Sequence, residues 1–364
     1  MKSINYKGSG VNIEMANNVK RQFEDVVSSH ALTHCKPINK VGAFASLIEI
    51  DLSKYKHPIF VLKSEEPGSK QLLSITNRRI EWIARDLINH LVNDIVVTGA
   101  VPCAILDTII CGKLEKDVVL KLVTEFSEAC IENDCVLVGG ETSEQPGVLQ
   151  SGQYVLQASA LGIVDKDNII DGSNMICGDS LIALASNGLH TNGYSLVRKL
   201  MEEKPSIREE IIRGDSFIDC ILKPHVSYAQ VVKAILANND NGVRGMAHIT
   251  GGGIHDNLLR ILHGDNLQAN VDLSAIKIPP IFGLLRQYAD ITDNEMLATF
   301  NVGVGLIIVA DREKVDSIIA LSKKYDIDAY TIGHISESTD YKKVTFTDKF
   351  MWPNIQSCRK DNAK

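Results

Sequence analysis

Three glycine-rich segments carry the residues best equipped for chemistry in this chain: Val138-Gly139-Gly140-Glu141-Thr142, Ser186-Asn187-Gly188-Leu189-His190-Thr191-Asn192-Gly193-Tyr194-Ser195 and Ile249-Thr250-Gly251-Gly252-Gly253-Ile254-His255-Asp256-Asn257. Each follows an apolar, strand-like run, and the last two lead into helix-like ones. Glycine lets a backbone approach a ligand closely and take positive φ. N–H groups exposed at such turns and helix starts bind phosphate. Two of the segments also carry side chains that bind metal or donate hydrogen bonds. Three of them in one chain point to an enzyme that handles phosphate.

The elements that must position these segments alternate between short strands and amphipathic helices. Pro58–Leu62, Cys103–Asp107, Val136–Val138 and Tyr154–Val164 read as strands. Arg78 to Val97, with Ile80, Ile83, Ala84, Leu87, Leu91 and Ile95 on one face, reads as a helix, and so does Lys116 to Asn133. An Asp-, Asn- and Gly-rich stretch near 165–178 marks a boundary. Beyond it, Ser180–Ala185, Gly303–Val309 and Ala329–Gly333 read as strands, and Tyr194–Glu203, Val226–Ala237 and Arg312–Tyr325 as helices. The expected fold class is α+β or α/β, in two domains.

Length agrees, because 364 residues exceed what one core usually organises. A hydrophobic fraction of 45% with 23% charged residues is that of an ordinary soluble globular protein. The net charge of −7, with no basic run of five, argues against a nucleic-acid surface. The start, Met1 to Lys7, lacks the apolar core of a signal peptide. Apolar stretches such as Leu181–Ala185 are too short to cross a bilayer, so no membrane partner is expected. The 8 cysteines are scattered without a Cys-x-x-Cys pair, as expected of buried small hydrophobes in a reducing cytoplasm.

Several polar residues have two readings on these grounds alone. Asp94 satisfies backbone groups at a helix end or binds a ligand. His190 is a satisfied polar residue or a catalytic one. Asp107, in an apolar strand, is a buried hydrogen-bonded carboxylate or a cleft residue. His248 and His255, on either side of the Gly-Gly-Gly run, suit hydrogen-bonding or surface roles better than a metal site.

The chain resembles the phosphoribosylformylglycinamidine cyclo-ligase family, also called the aminoimidazole ribonucleotide synthetases. The matching stretches are Tyr6-Lys7 with Gly10-Val11, Val92 to Val96, Gly112-Lys113-Leu114, Leu137 to Thr142, Gly188 to Lys199, His248 to Gly253, Glu295-Met296 and Thr299 to Gly305. They come in the family's order over about residues 6–335. The resemblance implies ATP-dependent ring closure. The γ-phosphoryl group of ATP passes to the formyl amide oxygen of formylglycinamidine ribonucleotide, an internal nitrogen attacks the activated carbon, and phosphate leaves.

It further implies an N-terminal ATP-binding and dimerisation domain over 1–170, whose strands build a dimer-spanning β-barrel. A C-terminal substrate-binding domain over 171–340 and a peripheral tail over 341–364 would follow. The expected cofactors are ATP and Mg²⁺, and the expected assembly is a cytoplasmic homodimer acting on a phosphorylated small molecule. Phosphoryl transfer is mainly positioning and charge neutralisation, so it needs carboxylates for the ion and N–H groups or cations for the phosphates. On this basis Glu65, Asp94 and Glu141 are the metal candidates. Gly68, Lys70, Asn93, Gly139, Gly140 and Thr142 are assigned to the nucleotide. His190 and Asn192 are assigned to catalysis, and Asn192, Gly193, Thr250, Gly251, Gly252 and Gly253 to the substrate.

One loop departs from the family pattern. Where members carry Ser-Gly-Thr-Asp-Gly-Val-Gly-Thr-Lys, this chain reads Lys63-Ser64-Glu65-Glu66-Pro67-Gly68-Ser69-Lys70. Glu65 takes the place of the metal-binding Asp, and Pro67 deletes a backbone N–H. Asn12, Glu24, the Val41–Ala45 segment and Leu297-Ala298 also differ. Three readings follow: the purine enzyme itself, a paralogue activating a different amide or carboxyl oxygen, or a catalytically silent nucleotide-binding dimer.

Overall fold

The computed structural model describes Gln22 and residues 34–40, 42–263, 266–338 and 342–360. Tyr6-Lys7, Gly10-Val11, Asn12, Glu24 and Val41 lie outside the described residues. The chain divides into two compact units, one running to Asn168 and the other from Ile169 onward with Val96–Gly99. No described helix is long and apolar enough to cross a membrane.

In the first unit, β1 (Cys35–Pro37) and β2 (Ile48–Ile50) form an antiparallel pair. β3 (Pro58–Glu65), β4 (Val101–Cys111), β5 (Val136–Glu144) and β6 (Tyr154–Asp165) form a sheet in the order β3-β6-β4-β5. Only β4 and β5 run parallel. A parallel pair needs a crossover, which α3 (Lys116–Glu132) supplies; α1 (Lys70–Thr76) and α2 (Ile80–Val96) precede β4. The helical period of α2 is explained by its packing: Ile83, Leu87, Leu91 and Ile95 are all fully buried. Arg85 on α2 ties the two long helices together through Glu125, Glu128 and Glu132 of α3, at 3.3, 3.5 and 2.5 Å.

The other face of the sheet is not covered by this unit's helices. Phe60, Leu62 and Leu106 are exposed there, Leu62 by 78%, and Leu62 lies opposite Leu161 in register. The sheet is open, with β3 and β5 as its outer edges among the described residues. The closed N-terminal barrel expected above is therefore not formed by the described residues of one chain, because four strands do not close a barrel.

The second unit is built around a six-stranded sheet ordered β10-β12-β7-β13-β11-β14. Its elements in chain order begin with β7 (Ser180–Ala185), α4 (Tyr194–Glu203), β8 (Ile211–Ile212), β9 (Asp215–Ser216), α5 (Phe217–Leu222) and α6 (Ala229–Leu236). There follow β10 (Val243–His248), α7 (Gly253–Leu259), β11 (Leu267–Asp272), α8 (Pro280–Ala289), α9 (Asp293–Thr299) and β12 (Val304–Ala310). α10 (Val315–Lys324), β13 (Ala329–Glu337), β14 (Val344–Thr347) and α11 (Ile355–Lys360) complete it.

Every pairing in the sheet is antiparallel except β11 with β14. β12 is buried along its whole length, which explains its unbroken apolar sequence. The stretch 341–364, expected as a peripheral tail, instead supplies the edge strand β14 and the helix α11. Val344 and Phe350 are buried, and that apolar surface holds the segment in place.

Candidate functional site

Within the first unit, two of the three expected metal-binding carboxylates come together. Glu65 ends β3 and Asp94 lies on the last turn of α2. Lys63, two residues before Glu65 and so on the same face of β3, places its Nζ 3.0 Å from Glu65 Oε2 and 2.8 Å from Asp94 Oδ2. His90, one helical turn before Asp94, brings Nε2 to 3.8 Å from Glu65 and 4.0 Å from Asp94. Burial pulls the Lys63 pKa down, but its bonds to Asp94 and Glu65 outweigh that and hold it above the ordinary lysine value.

A cation is thus already held by the oxygen pair, which shows that the site's chemistry suits positive charge. Two carboxylates are also the hard-oxygen donors that Mg²⁺ prefers. The residues present therefore fit the ion that the resemblance implies. Lys63 and His90 carried no assignment from the sequence; the i, i+4 spacing of His90 and Asp94 was the available signal.

Lys70 has a different setting. It opens α1, and its ammonium is fully buried 2.7 Å from Asp86 on α2. Burial pulls its pKa down while Asp86 opposes the shift. Asn93 on α2 is also fully buried, and Gly68 stands just ahead of α1 with φ 59°.

The Gly139-Gly140 pair lies inside β5, not at its exit, which corrects the reading of this segment as a strand-end loop. The cause is across the sheet: Gly140 pairs with Asp107 of β4. A Cβ added at Gly140 would lie 2.1 Å from Asp107 Oδ1 and 2.3 Å from Asp107 O. Only glycine leaves room for that carboxylate. Gly140→Ala should cost about 1–3 kcal/mol, as overpacking does, read as a lowered urea midpoint with unchanged slope. Glu141, the next residue, faces the opposite side of the pleat from Gly140 and Asp107. The third carboxylate is thus set apart from Glu65 and Asp94, and Thr142 follows it on the same strand.

Asp107 is buried, as one of its two readings required. Burial raises its carboxyl to about 7, and the charge of Glu141 adds to the rise against a backbone hydrogen bond. The folded state therefore binds this proton more tightly than the unfolded chain does. Stability should fall as pH rises from about 4 to about 7, by up to about 1.4 kcal/mol per pH unit, and level off above. Asp107→Asn, which has no proton to lose, should flatten that slope. Urea unfolding of both proteins at pH 5 and pH 8 measures the difference.

In the second unit the other two glycine-rich segments are brought together. His190 takes φ 59° in the turn before α4, and Gly193 with φ 82° starts that helix. The turn is fixed from behind. Tyr194 donates through its hydroxyl to His190 O at 3.1 Å, and Asn301 Nδ2 and Ser186 Oγ both donate to Gly188 O, at 3.0 and 2.9 Å. Asn192 Oδ1 sits beside Gly251, 3.5 Å from where a Cβ would be.

The Thr250–Gly253 loop is held by Asn257, whose Nδ2 donates to Gly253 O at 2.8 Å and to Gly251 O at 3.2 Å. Gly253 N–H is taken by Thr250 O. His255 is exposed and bonds Asp256, while His248 is buried and bonds His225 at 2.9 Å. Asn257, Asn301 and His225 had no role assigned from the sequence, because their partners are distant along the chain. Glu295 of the Glu-Met motif is a helix cap: it accepts from Thr292 N, and Thr292 Oγ1 accepts from Glu295 N.

Comparison with known proteins agrees in both units. Residues 68–164 match the family described as AIR synthase related protein, N-terminal domain, and residues 177–344 match its C-terminal domain. The phosphoribosylformylglycinamidine cyclo-ligase of Clostridium acetobutylicum is 40% identical over 332 residues, covering 91% of this chain and 97% of that protein. That of Thermoanaerobacter pseudethanolicus is 37% identical over 338 residues, covering 92% and 98%. Among solved structures, thiamine-monophosphate kinase from Stenotrophomonas maltophilia superposes with a TM-score of 0.65 at 16% identity, covering 90% of this chain and 95% of that one. The hydrogenase maturation protein HypE gives a TM-score of 0.62 at 15% identity, covering 90% and 92%. These structures share the two-domain α/β fold with mixed sheets, and the sequence relatives go further: the chain belongs to the AIR synthase family of phosphoribosylformylglycinamidine cyclo-ligases.

Proposed function

We propose that this chain is an ATP-dependent cyclo-ligase that closes the imidazole ring of formylglycinamidine ribonucleotide to give aminoimidazole ribonucleotide, a step of purine biosynthesis. The observation that carries this reading is identity of 36–40% with cyclo-ligases along more than 90% of the chain and of those relatives. In this reading the γ-phosphoryl group of ATP activates the formyl amide oxygen, an internal nitrogen attacks the carbon, and phosphate departs.

Glu65 and Asp94 hold Mg²⁺, which when bound supplies neutralisation of phosphate charge. Glu141, on the opposite face of β5, is left to a separate metal contact. Lys63 is released from the carboxylate pair to meet phosphate oxygens. Gly68, Asn93, Gly139, Gly140 and Thr142 contribute to the nucleotide site, and Lys70 positions α1 and α2 through Asp86. In the second unit, His190 and Asn192 orient the amide. Gly193, Thr250, Gly251 and Gly252 receive the substrate phosphate through backbone N–H groups, and Gly253, whose N–H is held by Thr250 O, completes that substrate loop.

The same reading makes the protein a cytoplasmic homodimer, with Phe60, Leu62 and Leu106 covered where two four-stranded sheets close into one barrel. An apolar sheet face of this kind marks an interaction surface.

The test is direct. Pure protein given Mg-ATP and formylglycinamidine ribonucleotide should release phosphate and form aminoimidazole ribonucleotide in equal amounts. Phosphate release that ignores the ribonucleotide, or none at all, overturns the proposal.

A further inference from the structure

The second unit contains a histidine cluster of which the proposed reaction uses only one member, His190. His190 comes from the turn before α4, His225 from the segment between α5 and α6, and His248 from the end of β10. All three are at least 95% buried. One ring nitrogen of each lies within 4.8 Å of the others. His225 Nε2 is 2.9 Å from His248 Nε2, and the His190 and His225 rings stack with centroids 3.9 Å apart at 23°.

The cradle is close-fitting. A Cβ at Gly305 of β12 would strike the Tyr228 hydroxyl at 1.8 Å and His190 Cε1 at 2.9 Å, and Tyr228 is itself fixed by donating to Ala185 O at 2.8 Å.

We propose that these three imidazoles bind one divalent transition ion, with zinc as the favoured metal. Three imidazole nitrogen donors suit zinc, copper or nickel better than magnesium or calcium. Neutral imidazole brings no charge that burial would penalise, so three such groups can be buried together and still ligate. Metal–nitrogen arms of about 2.0–2.1 Å set tetrahedral donors about 3.3 Å apart. The ion is therefore admitted by opening the 2.9 Å His225–His248 contact by a few tenths of an ångström and turning His190 out of its stack. Whichever of the two Nε2 atoms carries the shared proton passes it to its own Nδ1, so the ring stays neutral. A fourth position remains for water. Because His190 stands on one glycine-rich segment and His248 ends β10 immediately before the other, the ion would clasp both loops and act as a brake on their movement.

The full chain, stripped with a chelator, is titrated with Zn²⁺ against a chromogenic competitor and separately with Co²⁺. One equivalent should bind, and the Co²⁺ form should show the intense visible bands of a tetrahedral nitrogen-rich site. His225→Asn should weaken binding at least about 100-fold, whereas His255→Asn, at the exposed histidine, should leave it unchanged. Absence of stoichiometric binding, equal affinity in His225→Asn, or only the weak bands of octahedral Co²⁺ would each overturn the site. The Co²⁺ spectrum uses the unaltered chain, so it decides the matter even where His225→Asn fails to fold. The titration needs neither ATP nor ribonucleotide, so its outcome stands apart from the cyclo-ligase assay.

Discussion

Lys70→Met should lower the stability of the full chain by about 3–5 kcal/mol, the cost of removing one partner from a buried ion pair. The ammonium and the Asp86 carboxylate have no solvent exposure and lie 2.7 Å apart. Methionine fills much of the lysine's volume but takes the ammonium away from the buried Asp86 carboxylate, or forces that carboxylate to take up a proton. Asp86→Leu alone should cost a similar amount by taking the carboxylate away from the buried ammonium. The double substitution should be less destabilised than the two singles added together, because neither charge is left alone. Urea unfolding of the four proteins gives the coupling energy. The contrasting outcome is informative: if Lys70 instead reached a nucleotide phosphate, Lys70→Met would weaken ATP binding while the urea midpoint stayed in place. The resemblance pointed to that second role. The burial of the pair favours the first.

The difference illustrates what the sequence makes legible here. Helices α2 and α3 announce themselves, because their apolar residues recur with the helical period and most of them are buried. Their structural bounds, Ile80–Val96 and Lys116–Glu132, fall within two residues of the sequence reading. α4, Tyr194–Glu203, matches that reading residue for residue.

The glycines of β5 misled for the opposite reason. A Gly-Gly pair signals backbone freedom or close approach, and sequence cannot say which. Gly140 is there for close approach, to the Asp107 side chain on a neighbouring strand. The altered Lys63–Lys70 segment shows the same ambiguity. Its first residues complete β3 and its last opens α1. The change that deletes a backbone donor at Pro67 therefore falls in the short link between two regular elements. The edge strand β14 was missed because four residues beyond a charged stretch carry little periodicity, and only the neighbouring β11 reveals their pairing.

The site was half legible in the same sense. Glu65, Asp94 and Glu141 were named as the metal candidates, and the fold brings the first two to a common cation, though that cation is Lys63. His190 was named for catalysis, whereas its stacking on His225, 35 residues on, left no mark in the spacing. Contacts made along one element leave a pattern in sequence. Contacts made between elements leave residue types without an address.

The second large effect expected is on turnover. Asp94→Asn should reduce kcat about 100- to 1,000-fold, the range seen when one electrostatic contact to a developing charge is lost, while the fold survives. Asparagine keeps the shape of the side chain and one oxygen, and Asp94 is part-exposed at the end of α2, so no unpaired buried charge is created. What changes is the sign of the site. With Glu65 alone, the residual negative charge is already balanced by Lys63, which lies 3.0 Å away. A magnesium ion must then compete with an ammonium for a single carboxylate.

The magnesium concentration giving half-maximal rate should accordingly rise by at least about tenfold, and added magnesium should restore part of the activity. Lys63→Met on the same background should move the magnesium requirement back toward the parent value, because it removes the competing cation, although the rate stays low if Lys63 also serves the phosphates. A purely structural role for Asp94 would leave the magnesium dependence unchanged. An Asp94→Asn enzyme with normal turnover and normal magnesium response would take Asp94 out of the ion site and leave it as the partner of Lys63.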